Sequence, residues 1–320
     1  MIDLTKDSPL TQLQLLPIWN ADEHVIESTI AGESNMNLVL RIQTNQRSLI
    51  LKQSKPYVRK YPQIPAPVER IGIEKEFLDQ LRGDSNLASR LPKVLFYDEG
   101  LHLLGLEDLG KGMDYGFLYQ GKKVLSTAEL DTLMDFLVRL HQVKPSKFPS
   151  TQAMRKLNHE HLFDFPFQEE NGFDLDTVQQ GLQAASMPYK TDVQLKTKIT
   201  ALGQYYLQEK GSLIHGDFYP GSWLAVDSGL KVIDPEFGGL GQPEFDLGVC
   251  LAHLDLAAQP PALALRVLER YSLPVDWELV QAYRGIEILR RLIGIAQLPL
   301  TLSLDEKKVL LSRAHSYLLP

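Results

Sequence analysis

Strand-like runs fill the first hundred residues of the chain, and after Asp108 they all but vanish. HVIESTI and NLVLRIQ flank AGESNM, SLILKQ follows the polar turn TNQR, and KVLFYDEG and LHLLGLED close the series. Short β-branched and leucine-rich runs between Gly, Asn and Ser turns read as antiparallel hairpins. A proline-studded loop, KPYVRKYPQIPAPVER, and a predicted helix from about Arg70 to Leu81 precede the fourth run. From Ser126 the pattern turns helical. Ser126 and Glu129 form a capping-box pair in front of LDTLMDFLVRLHQV, whose leucines recur at helical spacing. VQLKTKITALGQYYLQEK reads as a helix stopped by Gly211, and the chain beyond Phe237 reads as helical throughout. The expected class is therefore α+β, with residues 1–106 as a β-rich N-terminal lobe and residues 107–320 as a mostly helical C-terminal lobe.

One antiparallel island interrupts the helical part: SLIHGDFYPGSWLAVDSGLKVIDPEF, residues 212–237. Taking Trp223–Val226 and Leu230–Ile233 as strands, with Asp227, Ser228 and Gly229 as the loop, sets Ser222 opposite Asp234. Opposed residues on one face have Cβ atoms about 5 Å apart. Asp217 feeds the first strand and Glu236 lies just beyond the second. Such an oxygen-only set suits Mg²⁺, which takes few carboxylates together with phosphate oxygens. The register is sensitive, because a loop one residue shorter swaps the faces. A single Asp at a strand end is most often a solvated turn cap. Asp217, Asp234, Glu236 and Asp246 gathered around one hairpin are not explained that way. His215 stays open between a buried histidine bonded to backbone and a chemical participant. A metal hydrolase built on His215 and Asp217 would need more histidines, and His253 offers no ligand spacing.

Phosphoryl transfer on such a site also needs a lysine and a loop of backbone amides for the phosphates. Lys52 ends the strand SLILKQ, and Gly32 with Glu33, Ser34 and Asn35 forms a small polar turn upstream. No GxGxxG or Walker pattern is present, and a lone strand lysine is usually a solvated face residue. Either Glu74 or Glu76 on the following helix is spaced to pair with Lys52. Near the C-terminus, Arg290 and Arg291 sit between Ile288-Leu289 and Leu292-Ile293. Their fork donors suit sugar hydroxyls or a forming phosphate. The plainer alternative is an ion pair of Arg291 with Glu287 at i−4.

The order of turn loop, strand lysine, helix glutamate, connector, HGD and IDPE resembles the aminoglycoside phosphotransferase/choline kinase group. Within that group it is most similar to the 5-methylthioribose kinases. GESNMNLVLRI, SLILKQSKPYVR, HLLGLEDL, LIHGDFYPGS, VIDPEF with FDLG, and LRRLIGIA carry the resemblance across nearly the whole chain. It implies a two-lobed protein-kinase-like fold and an ATP- and Mg²⁺-dependent kinase acting on a small-molecule hydroxyl. By position, Asp217 matches the catalytic aspartate. Asp234 and Glu236 match the metal-binding acids, and Ser222 stands where most of the group has a metal-binding Asn. Lys52 matches the phosphate lysine with Glu74 as first choice of partner, and Gly32 and Asn35 fall in the phosphate loop. Leu106, Glu107 and Asp108 match the adenine-binding hinge. Arg290 and Arg291 match a pair that contacts the sugar, and Asp246 matches an aspartate that braces the catalytic loop. Gln297 stands where the resemblance implies a histidine. Other acceptors (an aminoglycoside, choline or homoserine), GTP in place of ATP, and a non-catalytic pseudokinase remain alternatives, and a homodimer is open.

Composition narrows the setting. The net charge of −7 argues against nucleic acid as the main partner. The single cysteine, Cys250, cannot form an internal disulfide. No apolar run approaches the roughly 18 residues of a membrane span, and MIDLTKDSPL lacks a signal-peptide pattern. A cytoplasmic protein without a membrane partner is expected.

Overall fold

The computed structural model describes residues 3–32, 34–121 and 123–319; Glu33, expected in the phosphate turn, lies outside them. By contacts the chain forms two units. Met1–Gly112 with Val226–Phe237 make one, and Met113–Ala225 with Gly238–Pro320 make the other. The first boundary thus falls a few residues beyond the expected 106/107, and the segment carrying Asp234 and Glu236 belongs with the first unit.

The first unit is built on an antiparallel sheet of β1 (Val25–Ile30), β2 (Leu38–Thr44), β3 (Ser48–Gln53), β6 (Val94–Asp98) and β7 (Leu103–Glu107). Their order is β1-β2-β3-β7-β6, and the short ribbon β4 (Tyr57–Val58) and β5 (Tyr61–Pro65) stands apart from it. The period-2 alternation of the strands explains the core. Leu38, Leu40 and Ile42 of β2 and Leu49 and Leu51 of β3 pack with Leu103 of β7 and with Leu4, Leu13 and Leu16 from the N-terminal segment. Lys52 falls on the opposite face, paired in register with Val39 and Leu104. There it meets the helix α2 (Arg70–Leu81), found at the expected residues after the five-residue α1 (Leu10–Gln14). The segment Val226–Phe237 carries β11 (Gly229–Val232), tied down by Val232 N donating to Arg90 O (2.8 Å) and Lys231 Nζ donating to Ser89 O (2.6 Å).

The second unit is mostly helical. After α3 (Ser85–Ala88) of the first unit come α4 (Thr127–Gln142), α5 (Gln152–His159), α6 (Leu182–Thr191) and α7 (Val193–Tyr206). They are followed by α8 (Pro243–Leu256), α9 (Pro261–Arg270), α10 (Trp277–Ile293) and α11 (Leu304–Leu318). The Ser126–Glu129 capping box is formed as expected. Three local expectations are corrected. The helix α7 ends at Tyr206 rather than at Gly211, which has φ 122° and leads into β9 (Ser212–Ile214). The stretch after Phe237 is not all helical: β12 (Gly239–Gly241) pairs with β9. Finally, β10 (Trp223–Val226) ends two residues before β11 begins, so the turn is Asp227-Ser228 alone. The three-residue loop, and the register that set Ser222 opposite Asp234, therefore do not hold. On another edge β10 pairs with β8 (Met113–Asp114), Leu224 facing Asp114.

The helices α8 and α10 carry most of the second unit's polar residues of interest, and Gly248 lets them close together. A Cβ at Gly248 would lie 2.6 Å from Tyr283 Cβ and 2.9 Å from Val280 O. Both contacts are with the backbone end of α10, which cannot swing aside. Gly248→Ala is expected to destabilise the protein by about 1–3 kcal/mol through overpacking, read as a fall in midpoint on chemical denaturation; an unchanged midpoint would contradict the close approach.

Candidate active site

In the first unit the groups converge on Lys52. Its ammonium donates to Glu74 Oε1 at 2.6 Å and to Asp234, with only 5% of the residue exposed. Burial alone would pull its pKa down. The carboxylates of Asp234 and Glu74 more than offset that and hold the lysine well above its ordinary range. Of the two glutamates left open by spacing, Glu74 is the one in contact, whereas Glu76 accepts from Gln80. Asp234 has φ 61°, a left-handed conformation costly for a residue with a Cβ and here directly before Pro235. A strained backbone at a charged residue is the kind of outlier found at functional sites.

Glu236 lies two residues on and is nearly buried. Burial first, and then the Asp234 charge, push its carboxyl up to about 8 against the pull of Arg70 and Lys52. Asn37 Nδ2 donates to it at 2.7 Å, and Arg70 Nε donates to Asn37 Oδ1 at 2.8 Å. Arg70 is fully buried and also donates to the carbonyls of Lys55, Pro67 and Met36. It thereby ties the start of α2, the turn before β2 and Glu236 into one network. Neither Arg70 nor Asn37 was anticipated, since nothing local in the sequence marks a buried arginine at a helix start. Gly32 is exposed, with open space where a Cβ would stand, and Asn35 O accepts from Lys60 N at 2.9 Å. In the expected hinge, Leu106 is buried inside β7, and Glu107 N donates to Lys93 O at 2.8 Å. The Asp108 carboxylate is committed to Arg41 (3.0 Å) and Ser48 (2.5 Å). Any nucleotide contact there falls to backbone groups, not to that carboxylate.

In the second unit, the HGD loop is held by Asp246 at the first turn of α8. Its carboxylate accepts from His215 N (2.7 Å), Gly216 N (2.9 Å) and His141 Nε2 (3.1 Å). Gly216, at φ 79°, makes the turn that aims both backbone donors at one side chain. Ser222 Oγ donates to Asp217 O at 2.9 Å and bridges the loop from within. Asp217 is left with a quarter of its side chain exposed, and Arg291 Nη2 stands 3.7 Å from its Oδ1. The Arg291 guanidinium lies over the Tyr219 ring at 5.0 Å.

Of the two readings of the arginine pair, the ion pair is formed. Glu287, fully buried, accepts from Arg291 Nε at 2.6 Å and from Arg290 Nη1 at 2.9 Å. The two cations outweigh its own burial and keep its carboxyl well below the usual range. His253 Nε2 lies 3.0 Å from Glu287 Oε1, and the Tyr119 hydroxyl bonds its Nδ1. An ionised Glu287 can only accept, so Nε2 carries the histidine proton and Nδ1 accepts from Tyr119. Sequence spacing showed no role for His253. The available signal was a polar residue in the otherwise apolar run VCLAHL. Among the described residues no group of three or more His, Cys, Asp or Glu is arranged to hold a metal ion, so the acids near Lys52 would need further oxygen ligands to complete a site. No helix among them is long and apolar enough to cross a membrane.

Comparison with known proteins points the same way as the local chemistry. A family profile described as "APH: Phosphotransferase enzyme family" matches residues 29–283. The methylthioribose kinase of Bacillus cereus (strain AH187) is 28% identical, with 83% of this chain and 78% of that protein covered. The methylthioribose kinase of Cronobacter sakazakii is also 28% identical, over 77% of this chain and 65% of that protein. Among solved structures, LicA in complex with AMP superposes with a TM-score of 0.55 at 15% identity, covering 93% of this chain and 94% of that one. A choline/ethanolamine kinase family protein from Mesorhizobium loti gives 0.54 at 14% identity, covering 92% of each. At such identities these structures establish the kinase-like α+β fold.

His253 also makes stability depend on pH. Burial, with Arg291 and Arg290 nearby, pushes it from 6.5 down to about 4 despite its bond to Glu287, and Tyr119 and Tyr219 face it from the other side. Between these values the unfolded chain binds the extra proton and the folded chain does not, so this group's contribution is lost as pH falls through that window. His253→Gln should flatten the dependence of the unfolding midpoint on pH between about 6.5 and 4. Equal slopes for the two proteins would contradict the buried neutral state.

Proposed function

Because the chain belongs to the phosphotransferase enzyme family, we propose that it is an ATP-dependent kinase acting on 5-methylthioribose or a closely related sugar. In this role Lys52, fixed by Glu74, orients the nucleotide phosphates. The acids Asp234 and Glu236 are hard oxygen donors close enough that the Asp234 charge raises the Glu236 carboxyl, which fits Mg²⁺. They would hold the ion, and Ser222, whose hydrogen goes to Asp217 O, keeps lone pairs that suit a hard cation. When bound, the ion would offset the negative charge of the phosphates. Gly32, Asn35 and the backbone of Leu106–Asp108 are assigned to the nucleotide. Asp217 orients the acceptor hydroxyl and takes its proton as the oxygen attacks the γ-phosphorus and ADP leaves. Catalysis is then mainly positioning and charge stabilisation.

One observation carries the choice of acceptor: Arg291 Nη2 stands 3.7 Å from Asp217, with Arg290 and Arg291 both paired to Glu287 behind it. A cationic acceptor such as choline or an aminoglycoside would meet this guanidinium, whereas a hydroxyl-rich neutral sugar accepts its hydrogen bonds. The names of the relatives at 28% identity support the same acceptor. Asp217→Ala should lower phosphoryl transfer to methylthioribose by at least a hundredfold while ATP affinity, measured by calorimetry, stays within a few fold. Full turnover in that variant would sink the assignment.

A further inference from the structure

Glu287 stands behind the arginine pair on a helix whose neighbours Ile286, Ile288 and Leu289 are all fully buried. A carboxylate there is expensive, and apolar side chains would fill the same space at no loss of stability. Three donor atoms divide the work. Arg291 gives up its Nε edge at 2.6 Å, Arg290 gives Nη1 at 2.9 and 3.2 Å to the two oxygens, and His253 gives Nε2 at 3.0 Å. Tyr119 closes the chain behind His253. With the Nε edge occupied and the guanidinium plane set on the Tyr219 ring, Arg291 has its Nη2 left to face Asp217. At 3.7 Å that approach is looser than the two-bonded arginine–carboxylate pair that Arg284 makes with Asp255 at 2.7 and 2.8 Å. The restraint matters, because a guanidinium closed fully onto Asp217 would engage both of its oxygens and make them weaker bases toward an acceptor proton.

We propose that Glu287, seated by His253 and Tyr119, is a positioning residue that holds Arg291 off Asp217 and turned toward the acceptor. It acts through Arg291 and does not touch substrate. The functional half of this inference rests on the kinase reading above; the structural half, that Glu287 orders Arg291, does not.

The test compares Glu287→Gln, His253→Leu and His253→Gln in the full-length protein with two readouts. The first is steady-state kinetics with ATP and methylthioribose. The second is the Arg291 Nε–H resonance in ¹H–¹⁵N spectra, assigned by its loss in Arg291→Lys. In Glu287→Gln we expect kcat/KM for the acceptor to fall at least tenfold with KM for ATP within twofold, and the Arg291 resonance to broaden by exchange. His253→Leu should shift both readouts in the same direction by less. His253→Gln, whose amide can still donate to Glu287, should stay near wild type. If Glu287→Gln does not fold, His253→Leu against His253→Gln decides. An unchanged Arg291 resonance in both Glu287→Gln and His253→Leu overturns the inference, as does a lost resonance with unaltered acceptor kinetics. A wild-type protein that phosphorylates no sugar refutes the kinase reading instead, and the resonance comparison alone then decides for or against Glu287.

Discussion

An ammonium group taken out of water between two carboxylates ties the first unit together. Lys52 comes from a central strand, Glu74 from the helix on that face, and Asp234 from a segment 182 residues away in sequence. Removing one partner from a buried charge set costs about 3–5 kcal/mol, because the remaining charge stays stranded. This contact therefore does more than orient a lysine. It recruits Val226–Phe237 into the sheet-bearing unit, and the Arg70–Asn37–Glu236 network seals the same join from a second side.

The second unit solves a parallel problem with the signs exchanged. Two guanidiniums on α10 share one buried carboxylate, which also accepts from a neutral histidine that a tyrosine holds from behind. Asp246 does the equivalent for the HGD loop, spending its oxygens on two backbone N–H groups and His141. In both units the acids that would do chemistry, Asp234 and Asp217, are the more exposed members of their sets. The groups that hold them are buried. Rigid buried supports with exposed reacting atoms are what a site needs if it works by preorganisation.

Much of this was legible in the sequence where the cause is local. The strands around Lys52, the helix Arg70–Leu81 and the Ser126 capping box follow from alternation, spacing and cap chemistry, each decided within a few residues. The pairing of Lys52 was narrowed to two glutamates one helical half-turn apart, and only the packing of α2 against the sheet selects Glu74. The turn after Val226 was read one residue too long, since Asp-Ser-Gly supports a two- or a three-residue loop and the choice depends on where the strands are anchored. Arg70, Asn37, His253 and Glu287 act by burial against distant elements. A buried arginine at a helix start and an exposed one are written with the same letter, so nothing in the chain order announced them. Gly239–Gly241 escaped for a similar reason: it is a strand only because Ser212–Ile214 lies beside it.

The proposed protein is a kinase whose arginine-lined acceptor site prefers a neutral sugar to a cation. It is tested most directly by measuring ADP formation with ATP, Mg²⁺ and a panel of methylthioribose, other sugars, choline, homoserine and aminoglycosides. Strong acceptor-dependent turnover is expected with methylthioribose or a close sugar analogue, and little with the cationic acceptors. Efficient phosphorylation of an aminoglycoside or choline, with none of any sugar, would contradict it.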